Sequence, residues 1–273
     1  MNLMMCMRGE PEQLPFLPEI AEMEAGIELG SYGLIGIRSE HDWETRLTMH
    51  QAVRAQFQGT FALHGPFLGM EYAHIDHLIR DAVHRRLGMT FDAAMKLKAS
   101  RVVLHSGFTP ENDIFKLQDS WLKGNIEFWQ REIHCWADAG IEIVLENDTE
   151  KSPDVLVRLV NAVDSPYLGL CLDIGHQHVF SGLDALEWVR RMGKRLWHIH
   201  LHDNDGMGDS HWRIGSGTID FEPFYKALMA QVPQATISLE VEDAMEVKMG
   251  DLRHLADYFA AKGALQKSQP ESP

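Results

Sequence analysis

Residues 141–176 read IEIVLENDTEKSPDVLVRLVNAVDSPYLGLCLDIGH, and their pattern decides the fold. Two apolar runs, Ile141–Glu146 and Leu168–Asp173, are too short for helices and nearly continuous in Val, Ile and Leu, as strands covered on both faces should be. A longer amphipathic segment separates them. The unit recurs outward in both directions, with runs at Asn2–Met7, Ile27–Gly30, Thr60–His64, Val102–His105, Leu196–Leu201 and Thr236–Val241, so eight strands are predicted. Residues 120–138 place Leu122, Ile126, Trp129, Ile133 and Trp136 at steps of four, three, four and three, a helical stripe that Gly140 would end. Leu183, Leu186, Val189 and Met192 form a similar stripe before the seventh run.

Strict alternation of strand and helix implies a parallel sheet with right-handed crossovers. Eight units in about 260 residues match a (β/α)8 barrel. The predicted class is therefore α/β, a single TIM barrel over 1–265, with the tail QKSQPESP at 266–273 expected to be disordered. A doubly wound open sheet is the other architecture, but no G-x-G-x-x-G turn follows any strand.

The chain has a formal net charge of −15, which argues against nucleic acid or an anionic membrane as partner. Cys6, Cys135 and Cys171 are too few and too scattered for a disulfide framework and suit a reducing compartment. The N-terminal MNLMMCMRGEPEQ lacks a basic leader and turns polar after seven residues, so it reads as a first strand. No stretch approaches the ~20 apolar residues of a membrane span. A cytoplasmic globular protein is expected.

In a parallel barrel the chemistry gathers at the C-terminal ends of the strands. The third strand ends in His64, the fourth in His105 and the fifth in Glu146. The sixth ends in Asp173 with His176 three residues on, the seventh carries His198, His200 and His202, and the eighth ends in Glu240. The loop after the seventh adds Asp209 and His211. Burying several carboxylates around one axis is costly unless cations or strong hydrogen bonds neutralise them. Imidazole mixed with carboxylate suits Zn, Mn, Fe or Co and matches Ca poorly. His198, His200 and His202 are two apart and share the inward face. The deepest, His198, reads as a core or supporting group, and His200 and His202 compete for the ligand role.

These residues resemble the xylose-isomerase-like TIM barrels, a superfamily that includes the endonuclease IV type of abasic-site endonuclease. The resemblance runs from Met1 to about Phe259. It is carried by HGPF at 64–67, HSG at 105–107, LEN at 145–147, D-x-x-H at 173–176, HLHDN at 200–204, D-x-H with I-G-x-G-x-I-D-F at 209–221, and LE at 239–240. It implies, for an endonuclease-like trinuclear zinc site, the ligands His64, His105, Glu146, Asp173, His176, His200, Asp209, His211 and Glu240. For a sugar isomerase or epimerase it implies four ligands, Glu146, Asp173, His200 and Glu240, around one divalent ion.

Two chemistries follow from that resemblance. In an isomerase or epimerase, Zn2+ or Mn2+ would polarise a carbonyl while Glu146 and Glu240 exchange a carbon-bound proton as base and acid. His176 and Arg213 would fix hydroxyl groups, with His202 as a further substrate contact. In a phosphodiesterase, up to three zinc ions would use the whole nine-residue set. The loops at the predicted mouth hold five Lys and Arg, namely Arg8, Arg38, Lys116, Lys151 and Arg213, against fifteen Asp and Glu. A duplex-binding enzyme should present a basic face there. The expected substrate is thus a small carbohydrate, neutral or singly anionic, and not DNA. Apolar stretches at Tyr32–Ile37 and Phe67–Met70 are read as either pocket lining or an interface in a homo-oligomer.

Overall fold

A computed structural model of the chain describes residues 1–33, 37 and 39–265. The tail at 266–273, part of the Tyr32–Ile37 stretch and Arg38 lie outside the described residues. Among the described residues eight strands occur in order: β1 (Asn2–Met7), β2 (Gly26–Leu29), β3 (Phe61–His64), β4 (Arg101–His105), β5 (Glu142–Glu146), β6 (Leu168–Asp173), β7 (Leu196–Leu201) and β8 (Thr236–Leu239). Each pairs in parallel with the next, and β8 returns to β1, so the barrel is closed. The expected (β/α)8 fold is the observed one.

The helices are α1 (Leu17–Glu22), α2 (Glu40–Gln56), α3 (His77–Leu97), α4 (Pro110–Ile114), α5 (Gln118–Asp138), α6 (Asp154–Val163), α7 (Ile174–Phe180), α8 (Ala185–Met192), α9 (Phe221–Gln231) and α10 (Met245–Ala261). In α5 the predicted stripe is the buried one: Leu122, Trp129, Ile133 and Trp136 are in the core and Ile126 packs against it. Gly140, at φ +71°, ends the segment, and Ile141 N–H donates back to Trp136 O at 2.9 Å. The stripe before β7 is phased differently from expectation. Asp184 caps α8 by accepting from Glu187 N–H at 2.8 Å, so the helix begins after Leu183. Trp188, Val189 and Met192 are buried, while Leu186 turns to solvent.

Between β6 and β7 the register slips at Leu170/Cys171, so that Leu170 pairs with Leu196 but Cys171 pairs with His198. Trp197 is the extra residue, and it lies so close to Gly169 that a Cβ there would meet its ring at 2.3 Å. The bulge brings Cys171 and Asp173 side by side with His198 and His200 on the inward face. Val103, Val144 and Cys171 plug the barrel interior. With period two, the next inward residues up are His105, Glu146 and Asp173.

Candidate metal centre

The proposed ligands occupy the layer above that plug. Nδ1 of His200 lies 2.9 Å from Glu146 Oε1, 2.9 Å from Glu240 Oε2 and 3.8 Å from Asp173 Oδ2. Potential ligand atoms of Glu146, Asp173, His200 and Glu240 all fall within 4.8 Å of one another. The other oxygen of Glu146 faces His64 Nε2 at 3.2 Å and His105 Nε2 at 3.4 Å. That oxygen is sealed from solvent yet makes no hydrogen bond. A second group lies beside the first: Asp209 Oδ2 is 3.2 Å from His176 Nε2 and 2.9 Å from His211 Nε2.

The imidazoles are oriented from behind. Nδ1–H of His64 donates to Gly65 O, that of His176 to Asn147 O, and that of His211 to Glu240 O, each at 2.9 Å. This leaves each Nε2 pointing at the carboxylates, the arrangement of an imidazole prepared for a cation. His105 Nδ1 is 3.3 Å from Asp148 Oδ2. His200 is turned the other way, with Nε2 2.9 Å from Glu28 Oε1 and Nδ1 on the cluster.

Without an ion, protons supply the positive charge. Burial opposes protonation of His64, but the nearby Glu146 carboxylate outweighs it and raises the ring to about 9. Burial opposes it in His211 too, and Asp209 raises that ring to about 10. His176 is driven well above its ordinary value, against burial, by Asp173 and Asp209. Burial works against ionisation of Glu146, yet His200 and His105 hold its carboxyl well below the usual range. The donor set, its tautomers and the unpartnered Glu146 oxygen fit one or more divalent ions.

All nine predicted ligands converge. Seven of them, all but Asp173 and His200, line a cavity of about 360 Å³ that also receives Phe67, Leu68, Arg8 and Lys248. Asp173 and His200 are fully buried beneath it. Two predicted substrate contacts sit elsewhere. His202 has no exposed surface, and its Nε2 lies 3.1 Å from both Asp173 oxygens, so it steadies Asp173. Gly175 makes room for that ring, since a Cβ there would sit 1.9 Å from it. Arg213 pairs with Asp251 at 2.8 Å and does not reach the cavity.

Some contributors escaped the sequence reading. Glu28, fully buried in β2, holds both His198 and His200; its signal was a lone carboxylate inside the apolar run GIELG. Asn147 ties β5 to β6 by exchanging two hydrogen bonds with the Asp173 backbone. Glu150, pushed up to about 7 by burial, accepts from Ser106 Oγ and from Asp148 N–H.

Fold and site together define a (β/α)8 barrel with clusters of His, Asp and Glu able to hold divalent metal at the carboxyl ends of its strands. The chain belongs to the xylose isomerase-like TIM barrel family, whose profile matches residues 29–261. The TTHB071 protein of Thermus thermophilus, soaked with ZnCl2, is 27% identical with a TM-score of 0.72, covering 94% of this chain and 99% of that one. A D-tagatose 3-epimerase-like protein shares the fold at a TM-score of 0.74 and 22% identity, over 96% and 98% of the two chains. A probable endonuclease 4 of Mycobacterium leprae is 25% identical over 207 residues, 71% of this chain and 77% of its own. Family members are thus enzymes of more than one reaction type.

Proposed function

We propose that the protein is a divalent-metal-dependent isomerase or epimerase of a sugar or sugar phosphate. The reading is carried by one observation: Glu146 and Glu240 both approach His200 Nδ1 at 2.9 Å on the floor of a cavity sized for a small molecule. Glu146, Asp173, His200 and Glu240 would hold Zn2+ or Mn2+. The chemistry such an ion supplies when bound is Lewis acidity toward adjacent substrate oxygens. Glu240, whose side chain is 19% exposed, takes a proton from carbon and passes it to solvent, and Glu146, after taking a proton from solvent, returns one from its side of the pocket. Phe67 and Leu68 cover the substrate from water. All three cysteines are free, which supports a cytoplasmic setting.

The His176–Asp209–His211 group, with His64 and His105 about the second Glu146 oxygen, favours one other reading, a multinuclear zinc phosphodiesterase. The acidic rim weighs against duplex DNA as its substrate. Metal analysis of purified protein with turnover in heavy water separates the two. One ion per chain and deuterium at the carbon beside the carbonyl of a ketose or aldose product are expected. Three ions and phosphodiester cleavage would overturn the proposal.

A further inference from the structure

His64, His176 and His211 have Nδ1 fixed by rigid backbone carbonyls. His200 instead leans on a side chain, Glu28, which itself needs orienting. We propose that Glu28 is a positioning residue that keeps the proton of His200 on Nε2 and frees Nδ1 for a divalent ion, at the meeting point of a chain of hydrogen bonds that Arg101 and His198 enter from the other end of the barrel. The inference rests on the metal-centre reading above.

The direction follows from what each group can donate. Arg101 Nη1 is 3.1 Å from His198 Nδ1, and its Nε and Nη2 donate to Glu142 Oε2 at 3.0 and 2.6 Å, which holds the guanidinium in place. A guanidinium cannot accept, so His198 Nδ1 must. The His198 proton is then on Nε2, 2.8 Å from Glu28 Oε2. An ionised carboxylate only accepts, so Glu28 Oε1 takes Nε2–H of His200 at 2.9 Å. When the ring is neutral, as binding an ion requires, what remains on His200 is the Nδ1 lone pair, aimed between Glu146 and Glu240. The bias is needed because those two carboxylates would otherwise draw the ring proton onto Nδ1. Arg101 acts from the far end of the barrel, beside a cavity lined by Glu142, Trp197 and Lys194.

Replacing Glu28 by an amide introduces a donor where the chain requires an acceptor. In Glu28→Gln the amide must donate to His200, moving that proton to Nδ1, or to His198, whose Nδ1–H would then face Arg101. Zn2+ affinity, measured by competition with a chromophoric chelator, should fall about 10–100-fold. Arg101→Met alone should stay near the wild-type value, because Glu28 still accepts from both rings. The double variant should recover most of the loss, since His198 can then move its proton to Nδ1. A purely structural role for these residues predicts additive losses, with no rescue. Wild-type affinity in Glu28→Gln, or a double variant as weak as that single one, would overturn the proposal. Ring nitrogen NMR of His200 in metal-free wild type, at a pH where the ring is neutral, supplies an independent reading if Glu28→Gln does not fold. Nε2–H is expected there, and Nδ1–H would overturn the chain. If the wild type takes up no ion, the metal-centre reading fails while these ring shifts still judge the chain.

Discussion

The imidazoles of His202 and His211 lie face to face, with centroids 3.9 Å apart and planes 8° from parallel. Nε2 of His202 holds Asp173, and Nε2 of His211 holds Asp209, so the stack joins a ligand of the first group to those of the second. His202 can lie there only because position 175 lacks a Cβ. Gly175→Ala should therefore destabilise the protein by about 1–3 kcal/mol through overpacking. It should also weaken metal binding by displacing Asp173. Denaturant titration and metal titration check the two effects, and an unchanged pair of values would mean that the stack has no such role.

Glu240→Gln keeps the size of the side chain and removes its charge. Metal content should fall, and any turnover should drop by at least about 10²-fold, the usual share of a general base. The far-UV circular dichroism should match that of the wild type. Full metal occupancy with unaltered turnover would remove Glu240 from the centre.

The raised histidines set the pH dependence of the metal-free protein. His64 and His211 titrate at about 9 and 10 when folded, above the ordinary imidazole value. Between these limits the folded state binds more protons than the unfolded state, so stability falls as pH rises. Their contribution is complete below about pH 6.5 and is lost as pH passes through 9 and 10. In the metal-loaded protein the charge of the ion would lower both rings, so that fewer protons are lost over this range. The gap in Tm between loaded and metal-free protein should thus widen from neutral to alkaline pH, as differential scanning calorimetry would reveal. A gap that narrows over that range would contradict these protonation states.

Abasic-site duplex DNA should not be incised appreciably at physiological salt by metal-loaded protein, because the acidic loops repel its backbone. Gel analysis of a labelled duplex tests this. Efficient cleavage would replace the isomerase reading with the phosphodiesterase one.

The barrel and its ligand layer were legible because buried parallel strands leave continuous apolar runs, and the layer coincides with where those runs end. Glu146 and Asp173 stand out at such boundaries. Depth along one face was not legible. His198, His200 and His202 are equivalent by parity, and only the slip at Trp197 decides which of them meets Glu146. Glu28 was invisible as a partner because its nearest contact, His198, lies 170 residues away. Arg213 looked like a substrate contact since nothing local shows that Asp251 claims it. Leu186 looked like core until the Asp184 cap reset the phase of its helix.

Because β8 closes the barrel by pairing with both β7 and β1, the centre is also a clock for biosynthesis. Its proposed ligands enter from His64 onward, and Glu240 emerges from the ribosome last. A nascent chain halted before that point presents only a partial set of donors, with no closed wall around them. Ion capture at the complete site therefore needs β8 in place, so metal uptake by a translating or refolding chain would report the joining of its first strand to its last.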